Sequence, residues 1–96
     1  MKLLKISKSD KPEKKYVAIF EKEDGKKKKT YFGAAGMDDY TITKDKEQRK
    51  RYRQRHKKDL STSDPTRAGF LSYYILWGDS TSINENIKDY KKKFNL

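Results

Sequence analysis

The segment "FLSYYILW", from Phe70 to Trp77, is the densest run of large apolar side chains in this chain of 96 residues. Charged residues make up 41% of the sequence and hydrophobic residues 32%, so few other segments can supply a core. A helix over this segment would be apolar almost all round, which is typical of a buried helix. We therefore expect one small domain, residues 1–96, built around it.

Two β-like runs lie near the N-terminus, and the Asp24-Gly25 pair joins them. This pair is typical of a two-residue hairpin loop, because both central residues of a type I′ turn need positive φ. With that loop, Glu21 would face Lys28 across the hairpin. Because an isolated hairpin is marginally stable, we expect residues 3–7, with Leu4 and Ile6 on one face, to add a third antiparallel strand.

The rest of the chain reads as a loop followed by helices. Residues 33–44 contain two glycines and are predicted to form a loop in which Asp38 or Asp39 caps a turn. Three helices are expected in residues 45–96, and their predicted N-caps are Asp45, Asp64 before Pro65, and Ser82. The predicted fold class is therefore α+β, with a small antiparallel β-meander in residues 1–32 followed by three α-helices.

The first predicted helix is strongly basic, since eight of the fourteen residues from Asp45 to Lys58 are Lys or Arg. The chain as a whole carries a formal net charge of +11, and an anionic partner would screen this self-repulsion. We predict nucleic acid as the partner, DNA ahead of RNA, with little sequence selectivity. The expected phosphate-binding residues are Lys26, Lys27, Lys28, Lys29, Lys46, Arg49, Lys50, Arg53, Arg55 and Lys57.

Several alternatives stay open at this point. The basic helix can be a solvated scaffold, with Tyr52 as its anchor in the core or, alternatively, as a stacking surface for an exposed base. The lysines at the hairpin tip can protect a strand edge instead of binding a partner. An anionic membrane surface is a further partner class. The rival function is a virion or capsid-associated structural protein that binds an acidic protein or self-associates into a homo-oligomer.

Residue content argues against catalysis and cofactors. The chain has no cysteine, which excludes disulfides, thiolate zinc sites and cysteine nucleophiles within it and fits an intracellular protein. His56 is the sole histidine, so no histidine metal cluster can form. No segment approaches the roughly 18 apolar residues of a membrane span. We expect a non-enzymatic protein without catalytic residues, metal, cofactor or membrane span.

Three blocks, "YFGAAGMDDYT", "KDKEQRKRYRQRHKKD" and "DPTRAGFLSYYILWGDS", resemble in this order a family of small uncharacterised basic proteins of large eukaryotic DNA viruses, the giant viruses. The matching patterns are FG-x-x-G-x-x-DYT, then Arg49, Tyr52, Arg55 and His56, then Ala68, Gly69, Phe70 and Trp77. The resemblance carries no known activity. It implies a viral protein of the virion or the replication site that neutralises a packaged genome or bridges shell components.

Overall fold

The computed structural model describes residues 1–96, with strands in the N-terminal third and helices in the rest. The elements are β1 (Lys2–Lys8), β2 (Lys14–Glu21), β3 (Lys27–Ala34), α1 (Tyr40–Thr43), α2 (Lys46–His56), α3 (Ala68–Leu71) and α4 (Ile83–Lys93). A 3-10 helix, Lys57–Thr62, follows α2, and a π-helical segment, Ser72–Leu76, continues α3. The strands form one antiparallel sheet in the order β1-β2-β3. The predicted α+β class is confirmed. No helix has the length and apolar content that crossing a membrane would require.

The β2–β3 hairpin has a longer loop than predicted. Residues 23–25 form the loop, closed by a backbone hydrogen bond of 2.8 Å between the flanking residues, and Gly25 has φ of 85°. A turn that ends in a left-handed glycine is common in three-residue loops. Glu21 therefore pairs with Lys27, and the predicted pairing with Lys28 was wrong. The Asp-Gly dipeptide suits both loop lengths, so it could not fix the register.

An irregularity in β1 determines which of its two leucines lies on the core face. Its pairing with β2 shifts between Leu3 and Lys5, so the intervening Leu4 is an extra residue in the strand. Leu3 is 3% exposed, whereas Leu4 is 43% exposed. Leu3 and Ile6 consequently lie on the core face, in place of the predicted Leu4 and Ile6.

The core lies between one face of the sheet and the helices, and the "FLSYYILW" segment is at its centre. The buried apolar cluster consists of Leu3, Ala18, Phe20, Phe32, Tyr40, Phe70, Leu71, Ile75, Leu76, Trp77 and Tyr90. Close approach of β3 to the π-helical segment requires Gly33, which has φ of 79° and whose added Cβ would lie 2.9 Å from Leu76 Cδ1. The predicted burial of this segment is confirmed for Phe70, Leu71, Ile75, Leu76 and Trp77, whereas Ser72, Tyr73 and Tyr74 are half-buried.

The predicted helix caps are confirmed at two of three helices. The Asp45 carboxylate accepts from the first-turn amides of α2 at 3.0 and 3.1 Å, and the Ser82 hydroxyl accepts at 3.3 Å from an amide of α4. The third cap was wrong, because α3 begins at Ala68. The Asp64 carboxylate instead accepts from the amide of Thr66 at 2.9 Å and from its hydroxyl at 2.6 Å, in a turn that precedes the helix.

A buried asparagine fastens α4 to the end of the π-helical segment. Asn86 is 2% exposed, and its Nδ2 donates to the carbonyl oxygens of Ile75, at 2.9 Å, and Ser80, at 2.7 Å. Its Oδ1 accepts from the Ser80 amide at 3.0 Å. These bonds satisfy both ends of the amide and hold residues 75–80 in place, which matters for α2 because α2 docks on the same segment.

Candidate nucleic-acid interface

Two arginines attach α2 to the rest of the fold. Arg53 Nε donates to the Trp77 carbonyl oxygen at 2.9 Å, and its Nη2 lies 2.9 Å from Asp79 Oδ1. Arg49 Nη1 donates to the Asp79 carbonyl oxygen at 3.2 Å, and its guanidinium lies 4.5 Å from the centre of the Tyr40 ring. The hydrogen bond from Arg53 holds the pKa of Asp79 below its ordinary value. Two of the predicted phosphate-binding residues are thus engaged by carbonyl groups of the protein itself.

Tyr52 lies in the middle of a stack of three rings. Its centroid is 4.3 Å from that of Trp77, with planes 8° apart, and 4.1 Å from that of His56, with planes 22° apart. Two rings at such distances cannot share one face of the phenol, so both faces of Tyr52 are covered. Burial raises the pKa of its hydroxyl to about 12. Tyr52 is therefore a core anchor, and its ring offers no free face to a nucleobase.

Two lysines on α2, and a third that directly follows its last residue, have no carboxylate partner. Lys46, Lys50 and Lys57 are exposed, and none lies within salt-bridge distance of a carboxylate. Their helical spacing places them along one side of α2, which we call the outer stripe. They line a shallow groove of about 420 Å³ that Gln54 and Tyr73 also border. The outer stripe therefore consists of three predicted phosphate-binding residues that have no carboxylate partner in the protein.

The hairpin lysines point to different sides of the sheet, as neighbouring strand residues do. Lys27 Nζ lies 3.0 Å from Glu21 Oε2 in an exposed ion pair. Lys28 Nζ points toward the helices and donates to the Thr66 hydroxyl at 2.8 Å. Lys26 and Lys29 are exposed and have no carboxylate within salt-bridge distance.

The hairpin tip and α2 lie at opposite ends of the sheet. β3 has 8 residues, and its two ends are about 23 Å apart at about 3.3 Å per residue. The hairpin lysines lie at the end of the sheet where Lys27 pairs with Glu21. In contrast, α2 borders the other end, where Lys14 pairs with Ala34. The predicted site residues of the hairpin and those of the basic helix therefore lie in two separate regions and not one.

A cleft of about 560 Å³ opens on another side of α2, between this helix, residues 33–38 and the start of α3. Its polar lining residues are Lys14, Lys15, Asp38, Gln48, Arg55, His56, Asp59 and Ser72, and its apolar ones include Phe32, Tyr52, Leu76 and Trp77. His56 Nδ1 lies 3.0 Å from Asp59 Oδ2, which leaves the second ring nitrogen of His56 without a partner in the protein. The cleft thus combines an apolar floor with an oriented imidazole.

The cations in the cleft differ in their pairing. Lys15 Nζ lies 2.6 Å from Asp39 Oδ2, in a pair whose side chains are 14% and 2% exposed. Asp39 also caps α1 by accepting from the Thr41 amide at 2.9 Å, as the sequence predicted for Asp38 or Asp39. Lys14 and Arg55 are exposed and have no carboxylate within salt-bridge distance. These two are therefore the unpaired cations of the cleft.

Sequence reasoning did not find this cleft, because its lining comes from four separate segments of the chain. The one available signal was the order of the three sequence blocks. Members of all three meet here: Gly33 and Gly36, Arg55 and His56, and Ala68 and Gly69. No group of three or more His, Cys, Asp or Glu side chains is placed to hold a metal ion.

Comparison with known proteins identifies relatives of this chain. The family described as "Family of unknown function (DUF5754)" matches residues 4–56. "Uncharacterized protein L851" of Acanthamoeba polyphaga mimivirus is 36% identical over 80 residues, which span 77% of this chain and 80% of that protein. No solved structure matches the chain. This viral relative supports the predicted relationship to uncharacterised giant-virus proteins. That the three sequence blocks are shared with those proteins stays a prediction. The chain belongs to the family of unknown function DUF5754.

Proposed function

We propose that this protein is a non-enzymatic nucleic-acid-binding protein that contacts phosphates through the outer stripe with little sequence selectivity. The observation that supports this most is that different residues along and just after α2 have different contacts with the rest of the protein. Arg49, Tyr52 and Arg53 hold the helix, whereas Lys46, Lys50 and Lys57 have no carboxylate partner. Structural needs therefore do not account for these lysines.

Electrostatics supports the same reading. Like charges four residues apart on a helix are destabilising by a few tenths of a kcal/mol, and the chain already carries a net charge of +11. The outer stripe extends over about 16 Å along the helix axis. A phosphate backbone can accept these cations with release of condensed counterions, which offsets the repulsion. Lys26 and Lys29, at the far end of the sheet, would add long-range attraction, while Lys28 is directed inward.

The viral relative supports a location in the infected host cell. We propose the virion or the viral replication site as the compartment, because both hold the polyanionic genome that a protein of this charge would bind. Mass spectrometry of purified virions against infected-cell extract distinguishes the two. Absence from both fractions would contradict this placement.

The binding test is a titration with a DNA duplex and an RNA duplex at rising salt. The triple variant Lys46→Ala, Lys50→Ala, Lys57→Ala should lower the slope of log K against log salt by about 3, since each phosphate contact contributes about 0.9 on B-DNA. The matched control, Lys88→Ala, Lys91→Ala, Lys92→Ala, removes the same charge from exposed positions of α4 and should retain most of the slope. Equal slopes in both variants would exclude the outer stripe, and no binding of wild type at low salt would exclude the function.

A structural interaction protein is the second candidate, and exposed apolar side chains favour it. Met37 and Ile42, in and beside the segment that borders the cleft, are 64% and 59% exposed, and Leu4 on β1 is 43% exposed. Such side chains can form the centre of an interface with a second copy or with an acidic viral protein. Sedimentation over a wide concentration range tests self-association. A monomer throughout would count against the homo-oligomer.

A further inference from the structure

We infer that the cleft beside α2 binds an unpaired nucleobase stacked on His56, so that single strands bind more tightly than duplexes. This rests on the proposed function and adds the substrate class to it. Two observations lead to it: an aromatic stack has one accessible end in the cleft, and two cations that the fold leaves unpaired line the same cleft.

The stack has one accessible end. Trp77, at its inner end, is 7% exposed, and Tyr52 is covered on both faces. The His56 side chain, at the outer end, is 40% exposed and lines the cleft. A planar base placed on the imidazole would extend a series whose ring spacings are already 4.3 and 4.1 Å. Bases within a duplex are stacked on both faces, so an unpaired base is the fitting ligand.

The imidazole is held in place before any ligand binds. Asp59 Oδ2 lies 3.0 Å from its Nδ1, and Tyr52 lies against one face of its ring. Asp59 is in turn packed against the start of α3, since a Cβ added at Gly69 would lie 3.0 Å from the Asp59 Cβ. A platform ordered in advance loses little side-chain freedom on binding, which favours affinity.

Charge around the platform fits a nucleotide. Lys14 and Arg55 supply cations without carboxylate partners for the phosphates on either side of the base. Asp38 offers a carboxylate that can accept from N–H groups on the edge of a base. The volume of about 560 Å³ lies within the range of about 300–1,000 Å³ that small-ligand sites occupy. The cleft therefore has room for one base and its phosphates.

The test uses a single strand of about ten nucleotides, a length within known single-strand site sizes, carrying one 2-aminopurine. It is compared with the duplex of the same sequence. We expect the single strand to bind wild type at least about fivefold more tightly, with quenching of 2-aminopurine fluorescence on stacking. His56→Ala should lose about five- to tenfold in single-strand affinity and most of the quenching, with duplex affinity unchanged. His56→Phe keeps an aromatic surface and should retain both, which separates stacking from a loss of folding.

The outcomes distinguish this inference from the proposed function. Equal affinity for single strand and duplex, or a His56→Ala variant that binds and quenches like wild type, would overturn the cleft assignment and leave phosphate binding by the outer stripe standing. Failure of wild type to bind either oligonucleotide at low salt would overturn both. Adenosine monophosphate is the remaining probe. If it binds as tightly as the strand, the cleft is a mononucleotide site and the assignment to a strand is wrong.

Discussion

Replacing Arg53 with alanine should destabilise the whole fold, although Arg53 lies on a helix whose charge suggests only solvent contact. The substitution removes the Nε bond to the Trp77 carbonyl oxygen and the Nη2 contact with Asp79. The carbonyl belongs to a residue that is 7% exposed and lies at the end of the π-helical segment. No other side chain donates to it, so the substitution leaves that carbonyl without its hydrogen-bond partner.

The two lost contacts differ in weight. A hydrogen bond from a charged donor contributes about 1.5–3 kcal/mol, and the lower end applies because the Arg53 side chain is 28% exposed. The ion pair adds less than about 1 kcal/mol, since the Asp79 side chain is 87% exposed. We therefore expect the free energy of unfolding to fall by about 2 kcal/mol, and Tm to fall by about 10 °C in a domain of this size.

Urea denaturation followed by circular dichroism and by tryptophan fluorescence measures this change. Trp77 is the sole tryptophan and accepts the hydrogen bond in question, so its emission reports on the affected site. Lys50→Ala is the matched control, because it removes the same charge from the same helix and should change stability by less than about 0.5 kcal/mol. Equal unfolding free energies for the two variants would refute the anchoring role of Arg53.

Three further outcomes follow from the packing. Gly33→Ala should lower the free energy of unfolding by about 1–3 kcal/mol. Gly36→Ala should lower it less, because both glycines have positive φ but only Gly33 lies close to Leu76. Thermal melts of the two variants measure this difference. Asn86→Ala should lower the free energy of unfolding by about 2 kcal/mol or more in urea titrations, because it leaves the buried Ile75 carbonyl and the part-buried Ser80 amide and carbonyl unpaired; a loss near zero would contradict this. Folding raises the pKa of Tyr52 from the ordinary 10.0 to about 12. The protonated hydroxyl therefore contributes stability below pH 10, and this contribution is lost as pH rises toward 12. Tyr52→Phe should flatten that alkaline loss in denaturation series, and an unchanged slope would speak against it.

Local chemistry explains which parts of the fold could be predicted. The caps at Asp45 and Ser82 were predictable because a side-chain oxygen and the next few amides decide them within one turn. Burial of the "FLSYYILW" segment followed from its apolar density. The hairpin register was not predictable, since one dipeptide serves two loop lengths. Asp64 does not cap a helix, because its carboxylate accepts hydrogen bonds from Thr66 in the turn that precedes α3.

The candidate site was harder to predict than the fold, for a physical reason. Arg53 and Lys50 look alike in the sequence, because both are cations on a helix without an apolar face. Only tertiary packing determines that Arg53 donates a hydrogen bond to the Trp77 carbonyl oxygen, whereas the Lys50 side chain is exposed to solvent. The cleft is harder still to predict, since two of its lining residues, Lys14 and Arg55, lie 41 positions apart in the sequence.

The attachment of α2 by two arginines and one tyrosine has an evolutionary consequence. A helix that docks through an apolar stripe must keep that stripe, but α2 has no fully buried residue and depends on Arg49, Tyr52 and Arg53. Most of its other positions can drift without disturbing the core. Relatives could therefore exchange the cations of the outer stripe for neutral or acidic residues and keep the same architecture. The chemistry of this surface can thus diverge faster than the fold that carries it.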